Sequence, residues 1–102
     1  MPEFVRVISA AEVPPGSCRE ALVANKAIAL FNVGGVFHAT DNRCVHRGGP
    51  LGQGALDGSV VYCPWHAWTY DVTTGVNTAN PDICVTRYEV KTEGGEVFVK
   101  VE

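Results

Sequence analysis

Short runs of alternating apolar and polar residues recur along most of the chain, and turn-forming residues separate them. Alternation with a period of two, in runs of roughly 4–8 residues rich in β-branched and aromatic side chains, is typical of β-strands. The predicted strands are Phe4–Ile8, Arg19–Val23, Ala27–Asn32, Val36–Thr40, Val60–Tyr62, Trp68–Asp71, Val85–Lys91 and Glu96–Val101. Helix is scarce, because only Ala10–Val13 could form a short turn before Pro14-Pro15-Gly16. The pattern predicts an all-β fold.

Turn residues join several of these strands into hairpins. Asn25-Lys26 and Gly34-Gly35 separate consecutive strands, and Glu93-Gly94-Gly95 connects the last two. A glycine pair takes positive φ without steric cost, as a tight hairpin turn requires. We therefore expect antiparallel pairing.

Residues 42–81 differ from the rest of the chain, because Gly, Pro, Asn, Asp and Thr are frequent and continuous alternation is rare. Long loops inside a compact domain are usually functional. A chain of 102 residues is the right size for one domain with one modest core. We predict a single domain, 1–102, in which 1–41 and 82–102 form a small antiparallel β-barrel or sandwich and 42–81 is inserted between them.

Two segments of the insert carry candidate metal ligands: Cys44-Val45-His46 and Cys63-Pro64-Trp65-His66, with sixteen residues between His46 and Cys63. Each offers one thiolate and one imidazole. In a Rieske [2Fe–2S] centre, two cysteines hold one iron and two histidines hold the other. One Cys and one His on each loop would clamp such a cluster from opposite sides. The spacing predicts that these four residues bind one [2Fe–2S] cluster per chain.

Zinc is the competing metal, because Cys₂His₂ is also a tetrahedral zinc set. Zinc fingers usually supply both cysteines from one loop and both histidines from another, whereas here each segment mixes the two types. The mixed arrangement favours the cluster. Cys18 and Cys84 lie outside both segments, and we expect them to be small buried hydrophobic residues. His38 follows Phe37 on a strand and is not expected to be a ligand.

The motifs CVHRGGPL and CPWHAWTYD, with Thr74-Gly75 after them, resemble those of Rieske-type ferredoxins, and the resemblance covers nearly the whole chain. It implies a Rieske-type β framework with an inserted cluster-binding subdomain. Respiratory members of the family have a serine and a tyrosine that hydrogen-bond to sulfur. Here Trp68 occupies the serine position and Tyr70 the tyrosine position. With one donor fewer, we expect a reduction potential near the low end of the Rieske range, roughly −150 mV.

The resemblance implies a soluble one-electron carrier rather than an enzyme, because the chain has no room for a catalytic domain. Its expected partners are a flavin-dependent NAD(P)H reductase and the terminal oxygenase of a ring-hydroxylating dioxygenase system. The alternative is the small subunit of an assimilatory nitrite reductase or of another oxidoreductase complex. A redox-sensing module is a third possibility, which no particular residue favours.

Composition excludes several other classes. Hydrophobic residues make up 46% and charged residues 19%, an ordinary globular balance. The net charge of −3 gives no reason to expect nucleic-acid binding, which depends on clustered Lys and Arg. No stretch approaches the roughly 20 apolar residues that span a membrane. The N-terminal MPEFVRVISA lacks the features of a signal peptide, so we expect a cytoplasmic protein.

Overall fold

The computed structural model describes residues 4–44, 49–65 and 68–100. Within these ranges lie β1 (Phe4–Ser9), β2 (Cys18–Val23), β3 (Lys26–Val33), β4 (Val36–Asp41), β5 (Ala55–Asp57), β6 (Val60–Tyr62), β7 (Thr69–Asp71), β8 (Val76–Asn77), β9 (Arg87–Glu93) and β10 (Glu96–Lys100). Short 3-10 helices cover Ala10–Glu12 and Leu51–Gln53. No α-helix occurs in the described ranges, and the predicted all-β class is confirmed.

Two antiparallel sheets contain all of these strands. A six-stranded sheet has the order β1-β10-β9-β4-β3-β2, and its outer strands β1 and β2 contact each other, so the sheet curls almost into a barrel. A four-stranded sheet has the order β5-β6-β7-β8 and comes entirely from the chain between β4 and β9. The smaller sheet therefore lies, in sequence, between two strands that are neighbours in the larger one.

Strand β3 is buried on both faces. Ile28 and Leu30 contribute to the core inside the six-stranded sheet, with Val97 and Val99 of β10. Ala29 and Phe31, on the opposite face, contribute to a second core that includes side chains of the four-stranded sheet. Double burial explains why Ile28–Phe31 is an unbroken apolar run, which is typical of a central strand. The outer face of the barrel is thus the floor on which the insert packs.

Arg87 joins the two sheets. It starts β9, where it pairs with Thr40, and its Nε donates a hydrogen bond to the carbonyl oxygen of Val72 at 3.2 Å. Its side chain crosses Gly75, where a Cβ would come within 3.0 Å of the arginine Cγ and 2.6 Å of the Val85 carbonyl oxygen. Gly75 also has φ of +80°, so its lack of a side chain is required twice.

The structure shifts several predicted details. The β2–β3 turn is Ala24-Asn25, with φ of 50° and 68°, rather than Asn25-Lys26, because Val23 pairs with Lys26. The segment expected to hold little strand contains β5 and β8 in addition to the two predicted strands, both too short to show alternation. Strand β9 begins at Arg87, two residues later than predicted. Val101 lies outside the described residues.

Candidate metal centre

The first predicted ligand segment is a loop that follows β4. Arg43 and Pro50 form an antiparallel bridge, and the Cys44 amide donates to the Gly49 carbonyl at 2.9 Å. These contacts close the loop across residues 45–48, which include His46. His46 itself lies outside the described residues.

The second ligand segment follows β6 and is closed in the same way. The Cys63 amide donates to the Trp68 carbonyl at 2.7 Å. This hydrogen bond spans residues 64–67, which include His66, and His66 also lies outside the described residues. Each loop therefore starts with a cysteine and closes by a backbone hydrogen bond beyond the predicted histidine.

The two cysteines meet in one apolar core. Cys44 is 1% exposed and Cys63 is 2% exposed, and both are free thiols rather than a disulfide. Tyr70 of β7 is completely buried beside them, with its hydroxyl oxygen 3.4 Å from the Cys44 Sγ. Leu51 and Val61 belong to the same core. Thus the structure brings together the two predicted thiolate ligands and the predicted sulfur-bonding tyrosine.

Burial raises the pKa of the Cys63 thiol, a backbone hydrogen bond at Trp65 opposes the shift, and the neighbouring Cys44 raises the pKa further. Two thiols in this position prefer to be protonated when no cation is near. A Cβ built on Gly49 would approach the Cys63 Sγ to 2.7 Å, so the first loop lies directly against the second cysteine. Only glycine allows this approach without a shift of the neighbouring atoms.

These residues fit an iron–sulfur cluster. Metal binding requires cysteines to be thiolates, and iron supplies the positive charge that an apolar core lacks. Paired thiols without a disulfide, sealed from water and next to a hydroxyl donor, suit the cysteine-ligated iron of a Rieske centre. No cluster of three or more His, Cys, Asp or Glu side chains occurs within 4–44, 49–65 and 68–100, which contain only two of the four predicted ligands.

The other candidate residues lie elsewhere. Cys18 is half-buried, with its Sγ 3.2 Å from the Gly54 carbonyl oxygen. Cys84 is exposed, so the expectation that it is buried is wrong. Its neighbour Val85 points into the core, and in extended chain the adjacent side chain then points outward. His38 is half-buried, and an Arg87 guanidinium nitrogen lies 3.4 Å from its Nδ1.

Sequence reasoning missed the packing of the aromatic residues around the second loop. Core packing was the default expectation for tryptophan, yet Trp65 is 48% exposed, and the adjacent Tyr62 is 41% exposed. Trp68 is half-buried. The closing hydrogen bonds of the two loops have no sequence signal, whereas the Gly-Gly-Pro run does indicate a tight path near Gly49.

Comparison with known families identifies the class. Residues 3–89 match the Rieske [2Fe–2S] domain. The chain belongs to the Rieske [2Fe–2S] family, and membership implies one [2Fe–2S] cluster per chain. No helix in the described part of the chain is long and apolar enough to cross a membrane.

Individual relatives narrow the class. The chain is 34% identical over 101 residues to the ferredoxin CarAc of Metapseudomonas resinovorans, covering 97% of this chain and 94% of the relative. It is 33% identical over 98 residues to the ferredoxin component of the naphthalene 1,2-dioxygenase system of Pseudomonas aeruginosa, covering 95% and 94%.

A solved structure agrees with these relatives. It is a complex of reduced oxygenase and oxidised ferredoxin in carbazole 1,9a-dioxygenase, and one of its chains superposes with a TM-score of 0.85 at 33% identity, covering 95% of this chain and 92% of that one. The prediction of an electron-transfer ferredoxin rather than a catalyst is confirmed.

Proposed function

We propose that Cys44, His46, Cys63 and His66 hold the [2Fe–2S] cluster. The observation that carries this assignment is the meeting of two buried, unbridged cysteines, each at the start of a loop whose backbone closes just beyond a histidine. The bound cluster would accept and release one electron. The zinc alternative loses its main support, because the family that the chain belongs to binds a [2Fe–2S] cluster.

The chain's own residues prepare the site for electron transfer. Burial of the thiols excludes water from the cysteine-ligated iron, and the two closed loops fix the thiol positions before and after the electron arrives. The Tyr70 hydroxyl donates to the Cys44 sulfur and stabilises negative charge there. Both histidines are placed where their ring edges would pass the electron to a partner.

The proposed donor is a flavin-dependent NAD(P)H reductase, and the proposed acceptor is the terminal oxygenase of a ring-hydroxylating dioxygenase system. Relatives named as ferredoxin components of such systems support this assignment, as does the similar ferredoxin seen with its oxygenase. We also propose that 42–81 is the cluster-binding insert of a single 1–102 domain, with its base at 1–41 and 82–102. The proposed location is the cytoplasm.

Iron and acid-labile sulfide analysis tests the ligand set. We expect two irons and two sulfides per chain, a red-brown oxidised protein and a rhombic EPR signal after dithionite reduction. Replacing each of the four ligands by alanine should abolish the EPR signal. Cys18→Ala and Cys84→Ala are the matched controls and should retain it. A colourless protein with one zinc per chain would contradict the proposal.

Electron transfer itself is tested by stopped-flow mixing. The dithionite-reduced protein, freed of excess dithionite, is mixed with the purified terminal oxygenases of the carbazole and naphthalene dioxygenase systems, and absorbance follows its reoxidation. Reoxidation much faster than by buffer alone supports the proposed role. A fully loaded protein that reduces none of these oxygenases would refute it.

A further inference from the structure

Charge is distributed unevenly between the ligand loops and the rest of the chain. Residues 42–56 contain two basic residues, Arg43 and Arg47, and no acidic one, and residues 58–70 contain no Asp, Glu, Lys or Arg. The whole chain nevertheless has a net charge of −3, so its negative charge is concentrated outside the two ligand loops. Arg43 is exposed. The end of the molecule that carries the proposed ligands is therefore locally basic on an acidic protein.

Exposed aromatic side chains cluster in the same place. Five large hydrophobic side chains are exposed among the described residues: Val5, Leu22, Val36, Tyr62 and Trp65. Single exposed hydrophobic residues are common and need no explanation. The two aromatic ones, however, both flank Cys63, one residue before it and two residues after it. Tryptophan, tyrosine and arginine are also the residue types that most often dominate binding energy at protein interfaces.

Trp65 is fixed in its exposed position. Its Cβ and Cγ lie close to Gly49, where an added Cβ would approach them to 3.2 and 3.1 Å. Gly49 accepts the hydrogen bond that closes the first ligand loop, and Arg43 bridges to Pro50 next to it. The indole therefore rests on the first loop while its outer part faces solvent. A side chain that is already ordered loses little conformational freedom on binding.

We propose that Arg43, Tyr62 and Trp65 form a docking face for the terminal oxygenase, on which Trp65 is the anchor and Arg43 selects a carboxylate-bearing surface. This inference rests on the proposed function and adds the residues that recognise the partner. The expected complement is an apolar depression bordered by Asp or Glu. A second copy of this chain is disfavoured as the occupant, because its own locally basic face would meet like charge. The solved complex of a similar ferredoxin with an oxygenase favours the oxygenase over the reductase.

The experiment compares matched variants of the cluster-loaded protein. Trp65→Ala and Trp65→Leu remove most of the anchor, and the leucine keeps an apolar contact with Gly49. The control is Leu22→Ala, which removes a 76% exposed apolar side chain from β2, outside the ligand loops. Arg43→Glu reverses the charge on the docking face, and Arg19→Glu does so at an exposed position on β2. Iron content, EPR spectrum and potential must match wild type for a variant to be compared.

Stopped-flow reoxidation by the carbazole and naphthalene oxygenases gives the half-saturating concentration and the limiting rate. We expect Trp65→Ala to raise the half-saturating concentration about thirtyfold, the effect of losing an interface anchor, and Leu22→Ala to change it less than about twofold. Arg43→Glu should slow association at low salt and reverse its dependence on ionic strength, whereas Arg19→Glu should not.

Three results would overturn the inference. Wild-type kinetics for loaded Trp65→Ala or Trp65→Leu would remove the anchor while leaving the proposed function intact. Slower reduction by the reductase with unchanged reoxidation by the oxygenase would assign the face to the reductase. Concentration-dependent dimerisation that Trp65→Ala abolishes would assign it to a second copy. If wild type itself reduces no oxygenase, the proposed function fails and this inference fails with it.

Discussion

Removing the Tyr70 hydroxyl tests whether its contact with Cys44 sets the reduction potential. The side chain is completely buried, and its oxygen lies 3.4 Å from the Cys44 Sγ. When Cys44 is a thiolate ligand it has no proton, so the hydroxyl must be the donor. Tyr70→Phe keeps the ring in the core and deletes this donor.

The size of the effect follows from hydrogen-bond energies. A hydrogen bond to a charged group contributes about 1.5–3 kcal/mol, and only the difference between the oxidised and reduced states changes the potential. The reduced cluster carries one more negative charge, so the bond is stronger in that state. A difference of about 1 kcal/mol corresponds to a fall of roughly 40 mV, since 1.4 kcal/mol corresponds to about 59 mV for one electron.

Voltammetry of the loaded protein at neutral pH measures this shift. Tyr62→Phe is the matched control, because it deletes the same hydroxyl from an exposed side chain, and we expect its potential to stay within about 10 mV of wild type. An unchanged or higher potential in Tyr70→Phe, with iron content preserved, would refute the reasoning. Wild type should itself lie near −150 mV, and a value above about +100 mV would contradict the single-donor prediction.

Three further predictions concern the framework. Burial, and then the hydrogen bond to Asp41, raise the pKa of Tyr88 to about 12 from its ordinary 10.0; the stabilisation from the neutral phenol is therefore complete below about pH 10 and lost as pH rises through 12, so the unfolding free energy of wild type relative to Tyr88→Phe should fall across that range. Gly75→Ala should cost about 2–4 kcal/mol in urea unfolding, against about 1 kcal/mol for Gly58→Ala, because both have positive φ but only Gly75 has crowded surroundings. Arg87→Met should cost about 1 kcal/mol through loss of the hydrogen bond between the sheets, and Arg87→Lys should not restore it if the guanidinium geometry is what matters.

The ligand cysteines were predictable because the chemistry constrains their spacing. Two mixed Cys/His segments leave few metal sites that could use them, and the structure does bring Cys44 and Cys63 together. The contact between Tyr70 and Cys44 followed from family resemblance and not from any local pattern. By contrast, the exposure of Trp65 contradicts the usual burial of tryptophan, because the position is set by packing on Gly49 rather than by hydrophobicity.

The strands were predictable where neighbouring residues determine them, and less so where distant ones do. Strand β3 was recognised from its β-branched and aromatic residues, but its burial on both faces depends on the insert that covers it. Strands β5 and β8 are three and two residues long and exist because β6 and β7 pair with them. Ala24 takes φ of 50° against its own preference, because the register of the hairpin requires it.

The chain leaves the barrel after Asp41 and returns to it beside the same point, where the Asp41 amide bonds to the Thr86 carbonyl at 2.9 Å. Residues 42–85 are therefore a loop whose two ends are held by base strands. The entropy of closing such a loop grows only with the logarithm of its length, so the base can assemble with the insert still open. Amides of β5–β8 should then exchange hydrogen before those of β3 and β10 in the iron-free protein. Cofactor delivery thus becomes the final, local step of maturation, on a scaffold that is already folded.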